Sequence, residues 1–333
     1  MRRIATGIAF FSLFFIAGCS PQHRDTEFTT SPAYVIGSYT NFEVVDGDTF
    51  RIKTFSRGVR FLCIDTEEVP RGREAAKELA RLRATWPAPY WKKLGKGRFP
   101  IKMPSPFGYE TAEWAKTWFA DVDSIRLERD SPDNVYGYFG RWLAYVFARK
   151  NGKWLNYNIE CVRLGYSPYS MKYGFSERFH EQFLQAQDEA RRAGRGIWNP
   201  AVQHYPQYEE RLAWWTLRGD AIREYLALRK ERRDLFFIGR DGEYERLALA
   251  SRDTVCAFGV LGQLPDHGTI RECTMSHKKD VVVRLQFNET ADVAFLQQFE
   301  QLYVYARGVV FLDGKNIVLR LPGPKAITQH PCP

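Results

Sequence analysis

The sequence lacks the cysteine spacing of zinc-binding proteins, and it has fewer acidic than basic residues. None of its 6 cysteines forms a Cys-x-x-Cys pair, which argues against a zinc site. Lysine and arginine together number 48, against 39 aspartates and glutamates. Because the chain is basic, its composition favours polyanionic partners such as nucleic acid or anionic lipid.

The N-terminus also lacks an apolar run long enough to span a bilayer. The stretch Ile4–Ile16 follows two arginines but is too short to cross a membrane comfortably. Small residues then precede a cysteine in Ile16-Ala17-Gly18-Cys19, which resembles a bacterial lipobox. We therefore predict a lipoprotein signal peptide over residues 1–18, lipidation of Cys19 and a polar tether over residues 19–38. An ordinary signal peptide or an uncleaved anchor would account for the same stretch.

Lipid anchoring would place the protein in the bacterial cell envelope, attached to a membrane. By resemblance to Gram-negative lipoproteins, Ser20 after the cysteine favours the outer membrane. Because the envelope is oxidising, we predict a disulfide between Cys256 and Cys273. Cys63 and Cys161 fall in apolar segments, where cysteine usually behaves as a small hydrophobic residue.

The remaining composition is that of a folded protein of about two domains. Hydrophobic side chains make up 44% of the 333 residues and aromatic ones 15%, which argues against global disorder. Alternating apolar residues between turn signals predict strands at 42–45, 49–55, 59–64, 124–129 and 141–148. Apolar residues at helical spacing predict helices at 74–83, 110–119, 158–164 and 176–193.

The composition changes after Pro200. Residues 201–252 contain a predicted helix at 205–233, and we interpret them as a helical connector. Residues 253–333 show three strands, a helix at 291–301 with Thr290 as its N-cap, and two more strands. This order is typical of an OB barrel, a fold that often binds oligonucleotides. Another small barrel, or a sheet packed on a helix, would show the same order.

Most of the excess positive charge lies in residues 69–104, which contain ten basic residues and two acidic ones. Four aromatic residues are interleaved with them: Trp86, Tyr90, Trp91 and Phe99. The segment is either a solvated face or a clamp in which lysines neutralise phosphates and aromatic rings stack on bases. In the second interpretation, the predicted substrate contacts include Lys92, Lys93 and Lys96.

Two acidic segments are candidates for a functional site: Val45-Asp46-Gly47-Asp48-Thr49-Phe50 and residues 60–68. If the strands that carry them pair, Asp48, Asp65 and Glu68 converge near Arg60. Carboxylates so close together require protons or a cation, and oxygen ligands favour Ca²⁺ or Mg²⁺. Surface turns are rich in aspartate and glycine anyway. A glycosidase-like acid pair is a further alternative, but it would leave the arginines without a role.

Six segments taken together resemble the staphylococcal nuclease (thermonuclease) family in order and spacing. They are Val-Asp-Gly-Asp-Thr at 45–49, Arg-Phe-Leu-Cys-Ile-Asp-Thr-Glu-Glu at 60–68, Pro-Phe-Gly-Tyr-Glu at 106–110, Phe-Gly-Arg-Trp-Leu-Ala-Tyr-Val at 139–146, the helix at 158–165 and Gly-Ile-Trp at 196–198. The resemblance implies an α+β fold in which residues 39–200 form a five-stranded OB-type β-barrel with three helices. Residues 69–104 are then an insertion, and the connector leads to a second, OB-like domain.

The resemblance also implies a calcium-dependent endonuclease, a phosphodiesterase that cleaves single-stranded DNA and RNA and leaves 3′-phosphates. It assigns Ca²⁺ to the side chains of Asp48 and Asp65 and to the carbonyl of Thr66. Glu68 becomes the general base or the group that orients the attacking water. Arg60 and Arg141 become the ligands of the reacting phosphate. Nucleic acid is the expected partner, together with a membrane through the N-terminal lipid, and no obligate protein partner is evident.

Three positions depart from the family pattern. Glu67 stands where the family has proline, Phe139 where it has tyrosine, and Met171 where it has an aromatic nucleotide contact. Tyr169 and Tyr173 flank the last of these and are the remaining candidates for that contact. Glu67 would add a negative charge, and the absence of the proline would loosen the turn and misplace Glu68. The alternative function is therefore a catalytically silent nucleic-acid-binding lipoprotein.

Overall fold

The computed structural model describes residues 31–132, 137, 140–150, 152–240, 242–278 and 281–333. These residues form two seven-stranded sheets and eight helices, so the predicted α+β class is confirmed. The predicted signal peptide, Cys19 and Phe139 lie outside the described residues. Within the described ranges, no helix is both long and apolar enough to cross a membrane.

The first sheet is built by residues 35–156. Its strands are β1 (Val35–Tyr39), β2 (Phe42–Asp46), β3 (Thr49–Ile52), β4 (Val59–Phe61), β5 (Ile125–Glu128), β6 (Trp142–Lys150) and β7 (Lys153–Asn156). The strand order is β1-β5-β6-β4-β3-β2, and β7 pairs with β6. Only residues 40–41 separate β1 from β2, so consecutive strands occupy the two ends of this order. Apolar side chains from most of these strands form one core.

Three helices between residues 106 and 192 pack against this sheet. They are α3 (Pro106–Phe119), α4 (Tyr157–Arg163) and α5 (His180–Arg192). We predicted α3 from residue 110, but it begins at Pro106, because Ser105 caps it by accepting from the N–H of Gly108 at 2.9 Å and proline suits the first helical position. The buried face of α3 includes Ala112, Ala115 and Phe119.

The basic insertion is a folded unit. It contains α1 (Ala75–Thr85) and α2 (Ala88–Leu94), of which only the first was predicted. Leu82, Tyr90 and Met103 are buried together with Tyr205 and Tyr208. The insertion therefore has its own small core, made with residues from beyond the first sheet.

Helix α6 (Tyr208–Leu228) connects the two sheets and packs on both. Leu212 and Trp215 belong to the core of the first sheet. Ile222 and Tyr225 belong to an aromatic cluster that includes Phe258 of the second sheet. The helix of the predicted connector thus has a buried face that joins both cores.

The second sheet is built by residues 235–328. Its strands are β8 (Leu235–Phe237), β9 (Thr254–Leu261), β10 (Thr269–Lys278), β11 (Val281–Asp292), β12 (Tyr303–Asp313), β13 (Asn316–Leu321) and β14 (Ile327–Thr328), and its helices are α7 (Glu243–Leu249) and α8 (Val293–Leu296). The strand order is β14-β12-β13-β11-β10-β9-β8, and β12 also pairs with β9. The pairings therefore lead from β9 through β10, β11, β13 and β12 back to β9.

The helix predicted at 291–301 is wrong in length and in cap. β11 continues to Asp292, whose side chain accepts from the N–H of Ala294 at 2.9 Å and caps α8. A short 3₁₀ turn, Gln297–Phe299, follows α8. Asp292 is the competent cap because its carboxylate reaches a free N–H of the first turn, whereas Thr290 lies within the strand.

The predicted disulfide is also wrong, because Cys256 is bonded to Cys332 and not to Cys273. Cys256 points to the face of the sheet that holds the aromatic cluster. Cys273 is buried in the core on the opposite face. Since successive residues of a strand alternate between faces, spacing along the sequence did not reveal which two thiols share a face.

Candidate active site

The two acidic segments lie side by side in the first sheet. Thr49 of β3 pairs with Arg60 of β4, and the N–H of Phe61 donates to the carbonyl of Asp48 at 2.9 Å. The strand pairing on which the predicted site depended is therefore present.

Gly47 permits the close approach of the β2–β3 turn to the chain beyond β4. A Cβ atom at this position would lie 2.5 Å from Cγ2 of Thr111 and 2.8 Å from Cγ2 of Thr66. The N–H of Thr66 in turn donates to Oδ2 of Asp48 at 2.8 Å. A larger residue than glycine would push the turn away from this hydrogen bond.

The guanidinium of Arg60 bridges the two carboxylates predicted to bind metal. Its terminal nitrogens donate to Oδ1 of Asp48 and to Oδ1 of Asp65. The exposed fractions of Asp48 and Asp65 are 2% and 9%, so both charges need a partner inside the protein. Burial alone would lower the pKa of Arg60, but these carboxylates and that of Asp46 outweigh it and raise the pKa.

A second cation, Lys102 of the insertion, also contacts Asp65. Its ammonium donates to Oδ1 of Asp65 and lies 3.5 Å from Oε1 of Glu68. Burial alone would raise the pKa of Asp65, but Lys102, Arg60 and Lys172 reverse the shift and hold the pKa well below its usual range. Asp65 is therefore ionised at neutral pH.

Asp46 is a third aspartate in this cluster. Burial and the charge of Asp48 raise the pKa of Asp46 to about 6. Its Oδ1 accepts from the N–H of Asp48 at 3.2 Å, and Arg71 donates to its Oδ2 at 2.5 Å. Asp46 therefore stabilises the turn that presents Asp48.

Glu68 is held through its backbone and presents its side chain to a cleft. Its carbonyl accepts from the N–H of Ser105 at 3.1 Å, and its N–H donates to the hydroxyl of Tyr205 at 3.3 Å. Gly108 allows this contact with α3, because a Cβ atom there would lie 2.1 Å from the carbonyl oxygen of Glu68. The side chain of Glu68 is 40% exposed and lines the cleft, where water reaches it.

Glu67, which stands in place of an expected proline, takes a structural position apart from the cleft. Its Oε1 accepts from the N–H of Tyr205 at 2.6 Å and from the hydroxyl of Tyr208 at 2.7 Å, and the hydroxyl of Ser105 donates to Oε2. Glu67 is 2% exposed, and this burial raises its pKa to about 7. The residue ties the active-site segment to the start of α6 and adds no carboxylate to the cleft.

Arg141 lines the same cleft as Arg60. Among the residues that the structure describes, none forms a hydrogen bond or an ion pair with its guanidinium. Burial and the neighbouring charge of Arg60 lower the pKa of Arg141. Two guanidinium groups that repel each other beside a partly buried cleft favour an anion between them.

The two tyrosines predicted to contact substrate differ in their surroundings. Tyr169 is fully buried. Its hydroxyl accepts from the N–H of Ser176 at 2.8 Å, and its ring is stacked on Phe183 with centroids 4.8 Å apart. A base cannot reach it. Tyr173 is 52% exposed and lines the cleft, so it remains a candidate for contact with a base.

The insertion presents lysines to solvent, whereas it buries Tyr90 and half-buries Trp86 and Phe99. Lys92, Lys93 and Lys96 are exposed, and Nζ of Lys93 donates to the carbonyl of Lys102 at 2.9 Å. Trp86, Tyr90 and Phe99 pack against residues after 200. Trp91, with an exposed fraction of 45%, is the ring of this set that is open to a base.

The cleft has a volume of about 810 Å³ and extends beyond the first sheet. Besides the acids and arginines described above, its lining includes Ile222, Arg223, Leu226, Phe237 and Arg240. The guanidinium carbon of Arg223 lies 4.7 Å from the ring centroid of Phe175. Helix α6 and the end of β8 thus form one wall of the cleft.

The oxygen atoms of the site are of the type that binds calcium. Asp48 and Asp65 contact one guanidinium, so their oxygens already converge on a single cationic group. Oxygen ligands are those that Ca²⁺ prefers, in numbers of about six to eight. Within the described ranges, no three His, Cys, Asp or Glu side chains are grouped to hold a metal ion. Carbonyls, such as that of Thr66, and water would complete the shell.

Sequence reasoning missed three residues that shape the site. Lys102 was counted only as part of the basic segment. The hydroxyl of Tyr157 donates to the carbonyl of Gly47 at 2.9 Å, and Nδ2 of Asn158 donates to the carbonyl of Leu62 at 2.8 Å. The last two are the first residues of α4, and a polar pair at the start of this helix was the available signal.

Comparison with known proteins matches the region that holds most of this site. Residues 59–200 match the family model described as staphylococcal nuclease homologue. The chain is also 24% identical over 160 residues to an uncharacterized protein of Methanocaldococcus jannaschii, an alignment that covers 47% of this chain and 69% of that protein.

Proposed function

Because residues 59–200 form a domain of the staphylococcal nuclease family, whose members are typically nucleases, we propose that the protein is an endonuclease acting on single-stranded DNA or RNA. The observation that carries the proposal is the pair Arg60 and Arg141, which face one cleft beside Glu68. An anion relieves the repulsion between two guanidinium groups, and their planar donors match phosphate oxygens.

In the proposed reaction, Glu68 accepts a proton from a water molecule that attacks phosphorus. Arg60 and Arg141 donate hydrogen bonds to the non-bridging oxygens, whose charge grows in the transition state. The bond from phosphorus to the 5′ oxygen breaks, and this oxygen takes up a proton from solvent water, which leaves a 3′-phosphate and a 5′-hydroxyl. The exposed ring of Tyr173 lies in the cleft, where a neighbouring base would stack on it.

We further propose that the activity requires Ca²⁺. The side chains of Asp48 and Asp65 and the carbonyl of Thr66 would hold the ion, and a bound Ca²⁺ supplies Lewis acidity at the phosphate. The oxygen character of this donor set and the general calcium dependence of the family support the proposal.

The test is cleavage of heat-denatured DNA by the chain from Ser20 onward, in Ca²⁺ and in chelator. We expect cleavage only with Ca²⁺, and a loss of about 10²-fold in Glu68→Gln, which removes the base without changing the shape of the side chain. Glu113→Gln on the exposed face of α3 is the matched control and should cleave like the parent. Equal rates in Glu68→Gln and the parent would exclude Glu68 as the base.

The alternative is a nucleic-acid-binding protein without catalysis. The sequence suggested this alternative because Glu67 could disturb the site. The buried hydrogen bonds of Glu67 hold it away from the cleft, which weakens the case for the alternative. The ion pair of Lys102 with Asp65 favours it, since this cation competes for a proposed calcium ligand. Binding of DNA that persists in chelator, without cleavage in any condition, would establish the alternative.

The exposed lysines of the insertion are proposed to form a substrate clamp. We expect the triple variant Lys92→Glu, Lys93→Glu, Lys96→Glu to raise KM for long DNA while kcat stays nearly unchanged, because these groups lie outside the cleft lining. The salt dependence of binding should flatten by about 0.7 in logarithmic slope for each lost phosphate contact. An unchanged slope would mean that the lysines only face solvent.

We propose that each sheet closes into an OB-type barrel. The first domain then includes β1 from residue 35 and the second includes β8 from residue 235, so both begin before the limits 39–200 and 253–333 expected from the sequence. The circular pairing of β9, β10, β11, β13 and β12 supports closure of the second sheet. In the first, β1 and β2 are consecutive strands at the two ends of the order, which supports closure through them. Binding of oligonucleotides by the second domain is part of the same proposal.

Lipidation of Cys19 remains our proposal for the N-terminus, with anchoring in the bacterial outer membrane. The disulfide Cys256–Cys332 supports an oxidising compartment. In a bacterial host that processes lipoproteins, we expect radiolabelled palmitate to label the protein and Cys19→Ala to abolish the labelling. Equal labelling of the variant would refute lipidation at this cysteine.

A further inference from the structure

Lys102 places a fixed positive charge on one of the two proposed calcium ligands. Its ammonium donates to Oδ1 of Asp65 and lies 3.5 Å from Oε1 of Glu68. The carboxylate of Asp65 is 7% exposed and the side chain of Lys102 33%, so the pair is shielded from much of the solvent. Lys102 belongs to the insertion and not to the motifs that resemble the nuclease family.

The backbone on both sides of Lys102 is anchored to the chain beyond residue 200. The hydroxyl of Tyr205 receives a hydrogen bond from the N–H of Met103 at 3.0 Å. The guanidinium of Arg211 donates to the carbonyl of Ile101 at 2.7 Å. Because these contacts hold the segment next to Asp65, Lys102 approaches the carboxylate without a large loss of backbone freedom.

We infer that Lys102 is an internal cation that competes with Ca²⁺ for Asp65. The inference rests on the proposed calcium site. An oxygen that accepts from an ammonium cannot at the same time approach Ca²⁺ at about 2.3–2.6 Å without bringing two positive charges together. Arg60 donates to the same oxygen, so calcium binding there requires that both Lys102 and Arg60 release Oδ1 of Asp65. The apparent affinity is reduced by the fraction of molecules in which Lys102 has left.

The displaced ammonium has a natural second partner. Lys102 lines the cleft together with Arg60 and Arg141, and a substrate phosphate bound there would supply negative charge to the ammonium once Ca²⁺ holds Asp65. Ca²⁺ and a phosphodiester both favour the displaced state, so each should increase the affinity for the other. Lys102 thereby couples metal binding to substrate binding.

Calorimetric titration of Ca²⁺ into the full-length protein in detergent, without nucleic acid, tests the inference. Lys102→Met removes the charge and keeps the chain length, and we expect it to bind Ca²⁺ at least about tenfold more tightly than the parent, the equivalent of about 1.4 kcal/mol. Lys102→Arg should keep the parent affinity. Lys92→Met, which removes the same charge from an exposed position of the insertion, should also bind like the parent.

Equal affinities of the parent and Lys102→Met would overturn the inference, as would an equal gain in Lys92→Met. Absence of calcium binding in both the parent and Lys102→Met would overturn it too, while cleavage of DNA by the same samples would still support the nuclease. Conversely, tighter calcium binding by Lys102→Met in a protein that never cleaves DNA would support the inference and refute the nuclease.

Discussion

Arg60→Ala should reduce kcat for DNA cleavage by about 10³-fold, because one substitution removes the proposed donor to the phosphate and the bridge between the two proposed metal ligands. The guanidinium contacts both Asp48 and Asp65, and the side chain is only 19% exposed. A lysine at this position has one nitrogen and cannot form both contacts with the same geometry. Arg60→Lys should therefore recover only a small part of the rate.

Two further variants separate the roles of Arg60. Arg141→Ala should lose the phosphate contact and leave the aspartate pair intact, so its melting temperature should equal that of the parent while kcat falls. Arg51→Ala, on the adjacent strand β3 with an exposed ion pair to Glu43, should change neither quantity. A normal kcat in a folded Arg60→Ala protein would refute the proposed phosphate site.

Glu67→Gln should stabilise the protein at about pH 8, and the gain should vanish towards about pH 5. Burial raises the pKa of Glu67 from 4.5 to about 7 in the folded state. The folded protein thus binds the proton more tightly than the unfolded chain, and the protonated form contributes stability that is fully present below pH 4.5 and is lost as pH rises through about 7. Glutamine mimics the protonated form at every pH.

The expected gain at the higher pH is about 3 kcal/mol, from a pKa difference of about 2.5 at 1.36 kcal/mol each. Thermal unfolding of the parent and Glu67→Gln across this pH range measures it. Glu67→Ala should instead lower the melting temperature at every pH, because Ser105, Tyr205 and Tyr208 lose their acceptor. A pH-independent difference between the parent and Glu67→Gln would show that Glu67 is not the titrating group.

The local pattern of the chain predicted five of the seven strands of the first sheet and the central acids. It missed β7 (Lys153–Asn156), and β1 (Val35–Tyr39) overlaps the predicted tether, which was wrong at its end. Strands 42–45 and 59–64 were recognisable because apolar residues alternate between turn residues, and Arg60, Asp48 and Asp65 follow from where those strands begin and end. The short motifs also matched a family whose domain covers residues 59–200. These features depend on neighbours in sequence or on one strand pairing.

The errors concern residues whose partners are distant along the chain. Tyr169 looked like a nucleotide contact, yet its ring packs on Phe183 and its hydroxyl accepts from Ser176. The aromatic rings of the insertion looked available for bases, but Tyr90 is buried and Trp86 and Phe99 are half-buried against residues after 200. Composition identifies an aromatic residue without identifying which surface covers it.

By itself, the sequence determined the class of fold, the strands that carry the acids and several residues that line the cleft, among them Arg60, Glu68 and Arg141. Only the tertiary structure decided that Cys332 is the partner of Cys256, that Glu67 is buried away from the cleft, and that Lys102 is paired with Asp65. The physical reason is range. Strand and turn preferences act over a few residues, whereas a disulfide, a buried carboxylate and an ion pair are settled by which distant segments the folded chain brings within a few ångströms.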